Sequence, residues 1–174
     1  LFFRQVRAPR AEEIKAVLFL RHDRIGDMVA STPLFGAMMR LYPGARITVL
    51  ASERNAPVVV NNPHVDEVIV YSGWSQAREL KKRGFDLVVD LFYTYELESA
   101  CLAWLIHSRY VMGFEIWGRQ LFFNIKGPGL ALEGNMSQRL LALGRSLGVD
   151  VSHAAPEIFL TDAERAWARE HLVA

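Results

Sequence analysis

The stretch that decides the fold is "VLFLRHDRIGDMVASTP", residues Val17–Pro33. It opens with a purely apolar run that stops at Arg21, and a short charged loop then leads to Gly26 and Asp27. After Asp27 the apolar residues return at the spacing of a helix that buries one face. A buried strand, a short polar loop and a helix in this order indicate the first unit of a parallel α/β sheet.

Four more apolar runs follow, and together with the first they predict five strands. The runs are rich in Val, Ile and Leu and do not alternate with polar residues, which is typical of strands buried on both faces. Helical patterns separate most of them, so we expect a three-layer α/β/α domain with a parallel sheet. The predicted strands are 16–20, 46–51, 66–71, 86–91 and 109–114.

The helical patterns predict four helices in this domain, at 26–41, 75–82, 95–107 and 133–150. We expect a kink or a restart at Pro33, because proline removes a backbone hydrogen-bond donor. Further along, "PEIFL" predicts a short strand over 156–160, and a helix is predicted to start at Thr161 or Asp162. The first 15 residues are interpreted as a floppy extension rather than a membrane contact.

Composition and charge exclude several classes of protein. The chain has 174 residues, 51% of them hydrophobic and 22% charged, which predicts a folded domain rather than a disordered one. Its 20 Lys and Arg residues nearly balance its 19 Asp and Glu residues, so no basic field favours nucleic acid. The single cysteine excludes an internal disulfide, and the five histidines lack metal-ligand spacing, so no metal site is predicted.

The loop after the first strand lacks the known nucleotide signatures. A dinucleotide site needs the pattern G-x-G-x-x-G and a P-loop needs G-x-x-x-x-G-K-[ST], but this loop contains only Gly26. A phospho-acceptor receiver domain needs an acidic pair at the end of its first strand, where this chain has Arg21 and His22. Parallel α/β folds bind their ligands at the carboxyl edge of the sheet, where this loop is expected to lie. We therefore expect this loop to bind a ligand in a way that none of these three signatures describes.

Four residues of the loop are candidates for binding or catalysis. Gly26 admits another molecule close to the backbone, and the helix start offers free N–H groups to an anion. Arg21 and Arg24 add charge-assisted hydrogen bonds, and Asp27 is placed to accept a proton from a bound hydroxyl. An aspartate in a first helical turn also stabilises the helix itself, so the residues alone leave both interpretations of Asp27 open.

An ordered set of motifs resembles the lipopolysaccharide heptosyltransferases, the ADP-heptose transferases of glycosyltransferase family 9. The similarity runs from about Lys15 to Leu172 in the family's order. The motifs are Arg21, Gly26-Asp27, Thr32-Pro33, "YPGARI", "NNPHVDEVIVY", "GFDLVVDL", "SRYVMGF" and "NMSQRLLALGRSLG".

The resemblance implies a GT-B enzyme with two Rossmann-like domains, of which this chain is the N-terminal, acceptor-binding half. It makes Asp27 the catalytic base and places Arg24 and Gly26 in the acceptor-facing loop. The predicted acceptor-binding residues are Arg21, Arg24, Gly26, Tyr93 and Thr94. For Tyr93 and Thr94 the alternative is that they pack against and cap the next helix.

The domain boundaries that follow are an N-terminal extension (1–15), the Rossmann-like acceptor domain (16–150) and an interdomain crossover segment (151–174). The C-terminal donor domain is expected to lie beyond residue 174. This chain alone is therefore expected to be inactive.

The implied function is the inverting transfer of heptose, or a related sugar, from a nucleotide sugar such as ADP-heptose to a lipopolysaccharide core acceptor. It needs no metal and no cofactor. The partners are the nucleotide-sugar donor, bound mainly by the other domain, and a lipid-linked oligosaccharide, with no nucleic acid. The expected location is cytoplasmic, with peripheral contact at the inner membrane as an option. Two alternatives stay open: a non-catalytic α/β ligand-binding or scaffold module, and a family member that acts on another surface polysaccharide.

Overall fold

The computed structural model describes residues 5–129, 133–152 and 154–172, and its strands form one all-parallel sheet in the order β3-β2-β1-β4-β5-β6. The strands are β1 (Ala16–Arg21), β2 (Arg46–Ala51), β3 (Glu67–Val70), β4 (Leu87–Asp90), β5 (Tyr110–Glu115) and β6 (Ile125–Gly129). The helices are α1 (Ile25–Leu41), α2 (Ala77–Lys82), α3 (Glu98–Ile106), α4 (Met136–Arg145) and α5 (Asp162–Leu172). Strands β1 to β3 run from the centre of the sheet to one edge, and strands β4 to β6 run from the centre to the other edge.

Two helical layers cover the sheet, so the expected three-layer α/β/α fold is confirmed. Helices α1 and α4 pack on one face, and α2 and α3 pack on the other. Neighbouring residues of β1 enter opposite cores: Phe19 lies in the α1/α4 core, and Leu18 and Leu20 lie in the α2/α3 core. All three side chains are fully buried, which explains why the strand sequence is continuously apolar.

The five predicted strands are confirmed to within one residue, but β6 was not predicted. Its sequence "IKGPG" has a single large apolar residue, so it lacks the apolar run that marks the other strands. The fold itself requires Gly127, because a Cβ there would lie 2.2 Å from Leu143 and 2.9 Å from the carbonyl oxygen of Gly113. Pro128 is tolerated because β6 is an edge strand.

Helix α1 runs unbroken through Pro33, so the expected restart is wrong. Pro33 has no N–H for the carbonyl group of Val29, its normal partner four residues earlier. The Thr32 hydroxyl donates to that oxygen instead, at 2.8 Å. The same hydroxyl accepts the backbone N–H of Glu157 at 2.9 Å, which ties the segment before α5 to α1.

The beginning of the described chain is held against the sheet, so the expected floppy extension is wrong for residues 5–15. The Val6 N–H donates to the Asn124 carbonyl at 3.0 Å. Arg109 and Tyr110 both donate to the Glu13 carboxylate at 3.1 Å, which joins this segment to β5. Residues 1–4 lie outside the described part of the chain.

The tail differs from the prediction in one element. Residues 156–160 form no strand, and within the described ranges their one long-range backbone hydrogen bond goes to the Thr32 side chain rather than to the sheet. The expected final helix is confirmed as α5, and Thr161 is its cap: its hydroxyl accepts the Glu164 N–H, and the Glu164 carboxylate accepts the Thr161 N–H.

Helices α3 and α4 are confirmed but are shorter than predicted. None of the helices in the described ranges is both long and apolar enough to span a bilayer.

Replacing Thr32 with valine tests the double role of its hydroxyl. Valine keeps the shape but leaves the Val29 carbonyl and the Glu157 N–H without partners, so the free energy of unfolding should fall by about 1–3 kcal/mol. Thr32→Ser keeps the hydroxyl and should retain most of the stability. Urea unfolding of the three proteins measures the difference, and equal stability of Thr32→Val and wild type would contradict this role.

Candidate functional site

A cavity of about 290 Å³ opens at the carboxyl edge of the sheet, between the first turn of α1 and the β4–α3 loop (residues 91–97). This is the point at which the strand order reverses, because β1 and β4 are neighbours in space. The lining residues are Arg21, Asp23, Arg24, Asp27, Phe92, Tyr93, Thr94, Glu96 and Met136. The structure thus brings together five of the six predicted site residues, from two distant parts of the sequence, whereas Gly26 is not among the lining residues.

Asp27 lies in the first turn of α1, where the N-cap residue is Arg24 and no side chain caps the helix. Its side chain is half-buried and lines the cavity. Within the described ranges, no donor forms a hydrogen bond with the Asp27 carboxylate. The group is therefore available as a hydrogen-bond or proton acceptor for a molecule in the cavity.

Gly26 is exposed beside Asp27, and the fold does not explain the choice of glycine. It has no positive φ, and a Cβ built on it would meet nothing within 4 Å. A glycine in a helix destabilises it by about 1 kcal/mol relative to alanine. Gly26 itself is not among the residues that line the cavity.

Arg21 has a structural role beyond lining the cavity. Its side chain is only 1% exposed. One terminal nitrogen donates to Asp23 at 2.9 Å, the other donates to the Leu91 carbonyl, and the guanidinium lies 5.4 Å from the centre of the Phe92 ring. Arg21 therefore clamps the loop after β1 to the β4–α3 loop. Arg24 is exposed, and its side chain forms no ion pair within the described residues, which leaves its charge available to a ligand.

Tyr93 and Thr94 form part of the opposite wall, and both are half-buried. The Tyr93 ring meets Phe114 edge-on at 5.0 Å, and the Arg139 guanidinium lies 4.6 Å from its centre. The Thr94 hydroxyl accepts the Glu96 N–H at 3.3 Å. Helix α3 begins only at Glu98, so Thr94 does not cap it.

Four lining residues were missed from the sequence: Asp23, Phe92, Glu96 and Met136. Asp23 stands in the loop that the sequence singled out, and its charge was the available signal. One of its oxygens accepts from Arg21, and the other is buried with no hydrogen-bond partner in the described chain. Glu96 adds a third carboxylate to the cavity, and no pattern in the sequence marked it.

Behind the β4–α3 loop lies a buried ion pair that the sequence did not indicate. Arg119 and Asp90 are both 0% exposed and meet at 2.5 Å. Asp90 also accepts hydrogen bonds from the Ser99 hydroxyl at 3.1 Å and from the Phe92 N–H at 3.0 Å. Burial raises the pKa of the Asp90 carboxyl, and the Arg119 cation acts most strongly against that rise.

His22 packs beside the site without lining the cavity. Its ring lies 4.1 Å from the Tyr71 ring and 4.9 Å from the Phe92 ring, and its Nδ1 is buried without a described partner. Burial lowers the pKa of His22 below its usual value of 6.5, although Glu98 and Asp23 act in the opposite direction. Within the described ranges, no cluster of three or more His, Cys, Asp or Glu residues is arranged to hold a metal ion.

Solved structures share this fold. A family 9 glycosyl transferase from Veillonella parvula DSM 2008 matches with a TM-score of 0.76 at 24% identity, over 96% of this chain and 52% of its own. The chain has the fold of about half of such an enzyme. The E. coli ADP-heptose lipopolysaccharide heptosyltransferase II matches with a TM-score of 0.72 at 18% identity, over 92% of this chain and 51% of its own. The E. coli heptosyltransferase WaaC with ADP matches with a TM-score of 0.67 at 21% identity, over 82% and 50%.

The chain thus spans about half the length of the structures that it matches. No protein-family model and no curated protein matches its sequence. At these identities the likeness establishes the fold alone.

The burial of His22 gives the stability a pH dependence. Because the pKa of His22 is lower in the folded chain than in the unfolded one, the unfolded state binds more protons below about pH 6.5. Stability should therefore fall as the pH drops through this range, and His22→Phe should reduce that fall. Urea unfolding at several pH values measures both proteins, and identical pH profiles would contradict this account.

Proposed function

We propose that this chain is the acceptor-binding half of an inverting glycosyltransferase of the heptosyltransferase type, with Asp27 as the general base. The observation that carries the proposal is the free Asp27 carboxylate in the wall of the cavity at the carboxyl edge of the sheet. The reaction would move heptose, or a related sugar, from a nucleotide sugar such as ADP-heptose to a lipopolysaccharide core acceptor.

The chemistry of the cavity suits a sugar. The carboxylates of Asp27 and Glu96 line it and can accept hydrogen bonds from hydroxyl groups. Tyr93 adds an aromatic side chain to the lining, and aromatic rings are groups on which the C–H face of a sugar packs. A volume of about 290 Å³ lies at the small end of ligand sites, which span about 300–1,000 Å³. The cavity therefore suits one sugar unit rather than a whole oligosaccharide.

The proposed step is a single displacement at the anomeric carbon of the donor. Asp27 takes the proton of the acceptor hydroxyl as its oxygen bonds to that carbon, and the bond from the carbon to the diphosphate breaks. A neutral hydroxyl is a weak nucleophile, and a positioned base contributes about 10²–10⁴-fold to such reactions. The departing diphosphate gains negative charge and needs cations or helix N-termini, which we assign to the other domain.

The donor assignment draws on the matched proteins. WaaC from E. coli has been solved with ADP and with ADP-2-deoxy-2-fluoro heptose. By analogy, we infer a nucleotide-sugar donor here, held mainly by a second domain. We also infer that residues 16–150 bind the acceptor and that 151–174 lead to the other domain. The isolated chain would then be inactive, and the full protein would work at the cytoplasmic face of the inner membrane.

Replacing Asp27 with asparagine tests the proposed base in the full-length protein. Asparagine keeps the size and the hydrogen-bonding ability but accepts no proton, so kcat should fall on the order of 10²–10⁴-fold. The affinity for the donor should stay unchanged. Transfer from ADP-heptose to a truncated core lipid measures the first quantity, and calorimetric titration with ADP measures the second.

A matched control is Glu79→Gln, which neutralises an exposed carboxylate in the first turn of α2, away from the cavity. It should leave transfer unchanged. Equal activity of wild type and Asp27→Asn would reject Asp27 as the base. Transfer by neither protein with any nucleotide sugar, together with sugar binding in the cavity, would favour the non-catalytic binding module.

The variant Gly26→Ala tests whether the glycine serves ligand binding rather than the stability of the fold. Alanine has room in the free chain and is the better helix former, so the stability should stay equal or rise by up to about 1 kcal/mol. If the acceptor passes close to this backbone, the added methyl group displaces it, and kcat/KM for the acceptor should fall at least about tenfold. A more stable variant with full activity would show that no ligand needs this space.

A further inference from the structure

The β4–α3 loop supplies four of the cavity-lining residues but contains no helix or strand of its own. These residues are Phe92, Tyr93, Thr94 and Glu96. A connecting segment of this kind moves unless the surrounding structure fixes it. The shape of the cavity wall therefore depends on the contacts that the protein interior makes with this loop.

Arg119 and Asp90 supply those contacts from beneath the loop. One terminal nitrogen of Arg119 donates to the Glu96 carbonyl near the end of the loop, and the other donates to Asp90 and to the Ser99 hydroxyl. Asp90 in turn accepts the N–H of Phe92 at the start of the loop. The ion pair thus forms hydrogen bonds to the backbone on both sides of Tyr93 and Thr94, at Phe92 and at Glu96.

The energetics of buried ion pairs indicate what this pair does. The cost of removing two charges from water is of the same size as their attraction, so such a pair adds little net stability and apolar replacements are often tolerated. Removing one partner leaves the other charge buried and is strongly destabilising. A large net gain in stability is therefore not expected from this pair.

We infer that Arg119 and Asp90 are positioning residues that hold the β4–α3 loop in the shape that forms the cavity wall. Neither side chain lines the cavity, so both act through the backbone of the loop. The planar fork of Arg119 reaches the Glu96 carbonyl and Asp90 at the same time, whereas the single ammonium group of a lysine cannot reproduce this arrangement. The catalytic consequence rests on the proposed function, but the order of the loop does not.

The test is the double variant Asp90→Leu/Arg119→Met in the full-length protein. Because both charges are removed together, no buried charge is left alone. The Phe92 N–H, the Ser99 hydroxyl and the Glu96 carbonyl lose their partners, so Tm should fall, but by no more than about 10 °C. Backbone amides of residues 91–97 should exchange with solvent at least about tenfold faster, while those of β1 and β4 keep their protection. In the transfer assay, kcat/KM for the acceptor should fall on the order of 10²-fold, and KM for the donor should not change.

Two further variants serve as controls. Arg119→Lys keeps the charge beside Asp90 but loses the fork, so it should fold and show intermediate exchange in the loop. The matched control is Glu67→Gln/Arg83→Gln, which removes an ion pair of 2.6 Å at the amino edge of the sheet. It should change neither the loop exchange nor the acceptor kcat/KM.

Wild-type exchange rates at residues 91–97 in the Asp90→Leu/Arg119→Met variant would overturn the inference. So would a fall in Tm with exchange raised equally throughout the sheet, because the pair would then serve global stability alone. If the proposed function is wrong, wild type shows no transfer, and the exchange measurement still decides whether the pair orders the loop. Faster loop exchange with unchanged acceptor kinetics would also overturn the positioning role.

Discussion

The parallel pairing of β1 with β4 is the constraint on which the site depends. Its register places Leu20 beside Asp90, so the two strands end together and their following loops leave from the same edge. Arg21 then joins these loops, because its guanidinium donates to both Asp23 and the Leu91 carbonyl. The first turn of α1 and the β4–α3 loop therefore face each other across the cavity at the carboxyl edge of the sheet.

Two buried arginines, Arg21 and Arg119, form hydrogen bonds to the backbone of the β4–α3 loop, which forms one wall of the cavity. Arg21 and Arg119 each contact a carboxylate and a backbone carbonyl, and neither is more than 1% exposed. Their charges are used inside the chain rather than offered to a ligand. Among the charged residues that line the cavity, the groups that remain for a ligand are the Asp27 and Glu96 carboxylates and the exposed Arg24. An arginine beside a cavity is thus a weak guide to ligand binding until its partners are known.

The elements that could be predicted from the sequence are those with local signals. Five strands were found because residues buried on both faces give continuous apolar runs. Strand β6 was missed because Gly127 serves close packing against Leu143, and 156–160 was mistaken for a strand although its backbone bonds to α1. Asp27 and Gly26 were predicted from a motif and a family resemblance; Asp27 lines the cavity, whereas Gly26 is not among the lining residues. Arg119 carried no local signal, because its partner Asp90 lies 29 residues away and only the folded sheet brings them together.

The most direct test of the account is to locate a bound acceptor sugar by amide chemical shifts in the full-length protein. Titration with a heptose glycoside, with ADP present, should shift amides of residues 23–27 and 92–96 in a saturable way. The same changes should be absent in the apolar groove beside Leu160 and Trp167, which lies on a different element. Shifts confined to that groove, or saturable shifts elsewhere with residues 23–27 and 92–96 unaffected, would contradict the assignment of this cavity to the acceptor.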